Sequence, residues 1–336
     1  MTILLLAVRM IVFAQTFPEL RLQKITEKDG LSNNTVTCIG QDKKGFIWMG
    51  TANGLNRYDG YRFRQFYHDE HDSQSLANNH VTQIEADEKG NLWIGTDEGL
   101  SYFNTITQQA TNFLHNATDS SSLRDEHHPF VYIDQKEKVW VVTEKGLYAF
   151  DDEFGHHEIN EEVASFYLKK TYSPKYGYYN SMVADRKGGV WSAIANRLFL
   201  LDTVTKKVWR TFIAPYKMLI DKIYFDSDNR CWITTVDDGV WEYKEEKNEW
   251  ARVDLGNDVI HNSRVTEWAV NDKKYLVIGT ESYALILLDT KTMKYRSYGK
   301  NIYNKYIDFA TIESLFVDRQ NILWIATDEG VRYITP

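Results

Sequence analysis

Short apolar and β-branched runs recur along this chain, each stopped by Asp, Asn or Gly. Residues 36–42, "VTCIGQD", form one such run and end at an acid. "KKG" follows, and its Gly is free to take positive φ in a turn that the Asp carboxylate can brace from below. "FIWMGT" (46–51) is a second run, "ANG" a hairpin turn, "LNRYD" (55–59) a third run, and the alternating "RFRQFYH" (62–68) a fourth. Runs of this length with period-2 alternation predict strands rather than helices.

The pattern repeats. Aligned on the Trp of "FIWMGT", the series is Trp48, Trp93, Trp140, Trp191, Trp232, Val277 in "YLVIGT", and Trp324, at spacings of 45, 47, 51, 41, 45 and 47. Six residues before each lies Asp42, Asp87, Asp134, Asp185, Asp226, Asn271 or Asp318. Three before that lies Ile39, Ile84, Val131, Met182, Ile223, Trp268 or Leu315. A third column runs "GLNRYD", "GLSYFN", "GLYAFD", "RLFLLD", "GVWEYK", "ALILLD" and "GVRYIT". Four antiparallel strands at a period near 45 predict an all-β fold, a seven-bladed β-propeller of four-stranded blades. The Trp column is expected to fill the wedges between blades, and the Asp column to make turns.

The seventh copy stops at Pro336 after its third strand, whereas residues 20–25 resemble a fourth strand with no blade of their own. Set beside Val331–Thr335 they would complete the last blade and close the ring, removing a sheet edge. Residues 15–336 are thus expected to form a single propeller.

Composition adds less. Lys and Arg number 39 against 47 Asp and Glu, a net charge of −8, which argues against nucleic acid or an anionic membrane as the main partner. Cys38 and Cys231 read as buried thiols. The start, "MTILLLAVRMIVFAQ", is an apolar run closing on a small residue at Ala14. Residues 1–14 are expected to be a secretory signal peptide and the rest periplasmic, with no membrane insertion once the signal is removed.

No nucleophile elbow, HExxH, Walker loop or dinucleotide fingerprint occurs, and no cofactor or metal is expected. The histidines at 68, 71, 80, 115, 127 and 128 read as solvated loop residues. Propellers use loops at one face, over the central channel, to contact ligands. The residue seven before each member of the Asp column enters an inner strand: Thr35, His80, His127, Tyr178, Leu219, Arg264 and Thr311. These are expected to ring the channel mouth. The loop 169–181 adds Tyr172, Lys175, Tyr176 and Tyr179, and Lys217 lies in a neighbouring loop. Stiff amphipathic tyrosines stack on sugar rings, and Lys175, Lys217 and Arg264 suit the carboxylate or sulfate of an acidic sugar. The candidate ligand-binding set is therefore His80, His127, Tyr178, Arg264, Tyr172, Tyr176, Tyr179, Lys175 and Lys217.

"DGLSNNTV…QDKKGFIWMGTANGLNRYDG" and "SLANNHVTQIEADEKGNLWIGTDEGLSYFN" resemble the two-component regulator propeller repeats of the periplasmic sensor region of Bacteroides-type hybrid two-component systems. The resemblance is strong in blades 1, 2 and 7 and weaker in blades 3 to 5. It implies a non-catalytic, oligosaccharide-sensing propeller, corresponding to the first propeller of such a sensor. The implied partners are an adjacent propeller or signalling domains, with a dimer as one arrangement. A protein-interaction scaffold is the alternative, and a propeller lyase or glycosidase built on His127, Tyr178 and Arg264 a third reading.

Overall fold

The computed structural model describes residues 17–119, 122–123, 129–143, 146–150, 154–158, 180–194, 196–202, 207–215, 218–256, 264–280, 284–299 and 311–336. They form seven four-stranded antiparallel sheets. Six are simple meanders of consecutive strands. The seventh pairs Gln23–Ile25 with Gly330–Ile334, in the register Gln23↔Tyr333, Lys24↔Arg332 and Ile25↔Val331. The ring is thus closed by the N-terminal strand, as the sequence predicts. That strand covers three residues rather than the expected 20–25, and the preceding Phe17, Leu20 and Leu22 pack instead against the core between blades 6 and 7.

The first strand of each blade is innermost: Val36–Gln41, Val81–Ala86, Phe130–Ile133, Asn180–Ala184, Ile220–Phe225, Arg264–Val270 and Ile312–Val317. Each packs on its neighbours around the channel. The second strands carry the wedge. Trp48, Trp140, Trp191 and Trp232 are wholly buried, and Trp93 and Trp324 nearly so. Seven apolar clusters, one per junction, fill the space between adjacent blades.

The Asp column does more than turn the chain. Asp42 Oδ1 accepts the backbone N–H of Lys44 and Phe46, at 2.9 and 3.1 Å, while Oδ2 accepts the Trp48 indole N–H at 2.8 Å. Asp134, Asp185, Asp226 and Asp318 repeat the arrangement with Trp140, Trp191, Trp232 and Trp324. One carboxylate therefore fixes both the turn and the ring that fills the wedge. A buried charge is tolerable here because three donors meet it.

Blade 6 corrects the expected register. Asn271 does not occupy the Asp position. It and Asp272 have φ of 51° and 58° and form a two-residue hairpin turn, with Val270 paired to Lys273. Val277 pairs with Thr266, as Trp48 pairs with Gly40. Trp268 therefore stands at the level of Asp42, not at that of Ile39. Two positive φ angles suit Asn and Asp, and they give the tight turn whose twist matches the strands. Trp268, 1% exposed, replaces the missing wedge ring from the first strand. Its indole N–H donates to Asn321 O of blade 7 at 2.9 Å.

Asp226→Ala leaves the Trp232 indole, two turn N–H groups and the Arg230 guanidinium without their acceptor, and is expected to destabilise the protein by about 2–4 kcal/mol in urea denaturation. Starting the chain at Thr26 removes the closing strand and uncovers the edge of Gly330–Ile334. A loss of at least about 3 kcal/mol is expected from the apolar contacts alone, with association through the bared edge detectable by light scattering.

Candidate functional site

The channel mouth is set by Asx turns. In "LSNNT" the Asn33 side chain accepts the N–H of Thr35, and in "LANNH" Asn78 accepts that of His80, each at 2.8 Å. These bonds turn the incoming loop into the inner strand. The carbonyls of Thr35, His80, Leu219 and Thr311 then accept the N–H of Ala52, Asp97, Val236 and Asp328, in the hairpin between second and third strands of the same blade. Four of the expected ring residues are thereby placed in equivalent positions. His80 lies 2.6 Å from Asp97, Nδ1 to Oδ2, with both side chains about one-third exposed.

Arg264 sits elsewhere. The short hairpin of blade 6 pairs it with Gly279, the counterpart of the Cys38–Gly50 pair, one level below the mouth. There its Nη1 lies 3.0 Å from the carboxylate of Asp221 in blade 5, and its Nε donates to Glu313 O in blade 7 at 2.7 Å. Asp221 is 2% exposed, so Arg264 is a strut across three blades as well as a cation near the channel. His127, Tyr172, Lys175, Tyr176, Tyr178, Tyr179 and Lys217 lie outside the described residues.

The level that Arg264 shares with Cys38, Gln83, Phe130, Ser181, Lys222 and Ser314 carries most of the described chemistry. Side chains here lean from one blade to the next. Gln83 clasps Val131, donating to its O at 2.6 Å and accepting its N–H at 2.7 Å. Ser181 Oγ accepts the N–H of Ile223. Lys222 Nζ lies 5.2 Å from the ring centre of Phe130, two blades away, and burial pushes its ammonium pKa down. Two residues further on, the Tyr132 hydroxyl accepts the N–H of Ala184 and the Tyr224 hydroxyl that of Glu267. Sequence reasoning passed over Asp221, Lys222, Gln83 and Glu85. Gln83 and Lys222 stand four residues before the turn acid, Glu85 two before it and Asp221 five before it, and these fixed places were their signal.

Glu85 occupies the Tyr132 position in blade 2. It is half-buried, and its carboxylate accepts from Gln83 Nε2 at 3.4 Å. Desolvation raises its pKa to about 7, against a smaller lowering by Gln83. Among the described residues, no group of three or more His, Cys, Asp or Glu side chains converges as metal ligands would.

Three comparisons bear on this arrangement. Residues 30–53 and 75–98, in blades 1 and 2, match the two component regulator propeller family. A curated relative, Histidine kinase P4 of Formosa agariphila, is 43% identical over 53 residues, 16% of this chain and 4% of its own. The extracellular domain of the hybrid two-component system BT3049 of B. thetaiotaomicron superposes with a TM-score of 0.73. It is 25% identical, over 94% of this chain and 42% of that one. A streptogramin B lyase superposes at 0.69 with 12% identity, covering 94% of this chain and 97% of its own, which is a likeness of fold alone. The chain thus spans less than half the length of the sensor domain it matches. No helix of the described residues is long and apolar enough to cross a membrane.

The raised Glu85 pKa sets a sign for pH dependence. Below the ordinary value near 4.5 both folded and unfolded chains hold the proton, and Glu85 costs nothing. As pH rises toward about 7 the unfolded chain ionises first, so stability falls, and above that the cost is constant. Glu85→Gln is therefore expected to match wild type in urea midpoint near pH 4.5. At about pH 8 it should be more stable by on the order of 2 kcal/mol, channel water reducing the full linkage value. Equal midpoints at both pH values would show an unperturbed carboxyl.

Proposed function

Starting from a chain whose first two blades are two-component regulator propeller repeats, we infer that it is the ligand-receiving, non-catalytic propeller of an extracytoplasmic sensor. The observation that carries this is the likeness to the BT3049 extracellular domain over 94% of the chain, joined to the repeat match in blades 1 and 2. In this reading the ligand is an oligosaccharide received at the channel mouth. His80 stands at the rim and Lys222 and Arg264 supply positive charge one level down. The tyrosine-rich segment 169–181, most of it outside the described residues, is by sequence the corresponding connection of the repeat. An acidic sugar fits such a mouth better than a neutral one, because a carboxylate or sulfate answers the cations while CH faces answer the aromatics.

A ligand changes the state of a sensor only by binding its two states unequally. A propeller closed on itself therefore signals through what it touches, and the remaining length of the related sensor domain is where such a neighbour would lie. The test is calorimetry of residues 15–336 against neutral and acidic oligosaccharides, with chromatography of the recovered sugar. A micromolar complex is expected, weakened at least about tenfold by Tyr178→Ala or His80→Ala, equivalent to about 1.4 kcal/mol, with the sugar returned intact. Cleaved products would replace this reading with an enzymatic one. A folded protein that binds none of the panel would favour the scaffold reading.

A further inference from the structure

Blade 2 departs from the others at one atom. In blades 1, 3, 4, 5 and 7 the second oxygen of the turn Asp accepts the indole N–H of the wedge Trp, at 2.8–3.0 Å. In blade 2 that oxygen, Asp87 Oδ2, instead accepts the hydroxyl of Tyr102 at 2.9 Å. Asn91 locks the exchange. Its N–H donates to Asp87 Oδ1 at 2.8 Å and its side-chain amide donates to the Tyr102 oxygen at 2.7 Å. The Tyr102 hydroxyl keeps its proton, with burial first among the causes that push its pKa to about 12. Trp93 is thereby displaced from its usual acceptor. It is 3% exposed, and among the described residues its indole N–H has no hydrogen-bond partner. Nor is Nε1 one of the sealed polar atoms without a partner, so the donor opens on space that water can enter.

That space is a cleft of about 330 Å³ between blades 2 and 3, on the face of the Asp turns and opposite the channel mouth. Its wall is aromatic. Trp93 lies 4.9 Å from Tyr102 and 5.9 Å from Phe154, centre to centre, and Tyr102 and Phe154 are 4.8 Å apart. Four charged side chains stand at the rim besides Lys138. The Glu88 carboxylate meets Lys43 Nζ at 2.9 Å, and that of Glu137 accepts the Glu88 N–H at 2.9 Å. Among the described residues, Lys89 and Lys136 make no ion pair. Counting Lys43, four lysines face the three carboxylates of Asp87, Glu88 and Glu137, so the rim carries a small excess of positive charge above an apolar wall with one buried donor.

A donor buried in an apolar wall selects for an acceptor on the ligand, since any ligand lacking one strips water from the N–H without replacing it. The lysines select for negative charge, and the rings for a flat apolar body. We propose that the cleft between blades 2 and 3 is a second ligand site, for a small aromatic carboxylate. Its ring lies against Trp93 and Phe154, and its carboxylate accepts from Trp93 Nε1 while facing Lys89 and Lys136. The site is independent of the channel-mouth reading.

The molecule carries its own control. The corresponding cleft between blades 4 and 5 has Trp191 in its wall and lysines at its rim, but the Trp191 N–H is taken by Asp185 at 2.9 Å. The experiment is titration of ¹⁵N-labelled protein, following indole N–H resonances assigned through Trp93→Phe and Trp191→Phe. The probes are phenylacetate, its cationic analogue phenethylamine, and acetate. Phenylacetate is expected to shift the Trp93 indole resonance and leave that of Trp191 in place, saturating at the millimolar level that about ten heavy atoms support. Acetate and phenethylamine should leave both in place. Lys89→Gln combined with Lys136→Gln, on exposed rim positions, is expected to weaken phenylacetate about threefold or more. A Trp93 resonance unmoved by phenylacetate overturns the proposal. So does an equal response to phenethylamine, or a double Lys variant that binds as wild type.

Discussion

A carboxylate sealed in the protein and met by three donors is the interaction on which the propeller depends. Asp42 and Asp226 are 1% and 0% exposed, and an unpartnered charge at such a place would be intolerable. Each is held by two backbone N–H groups of its own turn and one indole N–H from the next strand, and Asp226 also by the Arg230 guanidinium. The same bond set that bends the chain therefore also aims the ring that fills the wedge. Local turn chemistry and the packing between blades are one constraint, and in blades 1, 3, 4, 5 and 7 it ties Asp to Trp at their six-residue spacing. A second, smaller device repeats at the far end of the hairpins. The hydroxyls of Thr51, Thr96, Thr235 and Thr327 donate to the carbonyls of Gly54, Gly99, Gly239 and Gly330. Gly is needed at two of these because Gly54 and Gly330 stand at φ of 103° and 106°, where a Cβ would also strike the neighbouring backbone.

Where the constraint is relaxed, the blade changes character. Blade 6 drops the acid, tightens the turn to two residues, and recruits Trp268 from the inner strand to fill the wedge. That exchange also lowers Arg264 from the rim into the wall, where it joins blades 5, 6 and 7. Blade 2 keeps the acid but gives it to Tyr102, and a donor that is structural elsewhere is released toward a cleft. In blade 2 the departure from the repeat is a single hydrogen-bond exchange and in blade 6 a shortened turn, and each changes what one polar side chain meets.

The fold was legible because its signal is redundant. Three columns in phase specify seven blades, and the orphan strand near residue 23 specifies how they close. Blade 6 was misread at Asn271 because side-chain identity at a fixed spacing stood in for backbone register. Only the pairing of Val277 with Thr266 reveals that the turn had shortened. The site was less legible for a related reason. Residues at the channel were sought where the loops enter, whereas Gln83, Asp221 and Lys222 lie inside the strands, in positions that read as ordinary alternation. The release of Trp93 was hidden more deeply. Asp87 and Trp93 are conventional residues for their columns, and Tyr102 recurs as Tyr333 in blade 7, where Asp318 still accepts the Trp324 indole, so nothing in their order says which of two donors the carboxylate will accept.

The junctions between blades also bear on how such a ring can act. Thr37 donates to Val81 O, Gln83 clasps Val131, Tyr132 accepts from Ala184, Ser181 from Ile223, Tyr224 from Glu267, Arg264 donates to Glu313, and Arg319 grips Gln41 and the carbonyls of Asp42 and Lys43. Every junction therefore has at least one directional bond from a side chain of one blade to the backbone of the next, beyond its apolar wedge. Sliding one blade on another would break such a bond and expose its backbone partner. Two closely packed sheets joined in this way have one arrangement, not a continuum. A ligand at the mouth or in an inter-blade cleft thus has little internal motion to select. Its binding energy acts on what lies against the ring's surface, so the faces and clefts of this propeller, rather than its blades, are the parts through which occupancy can be read.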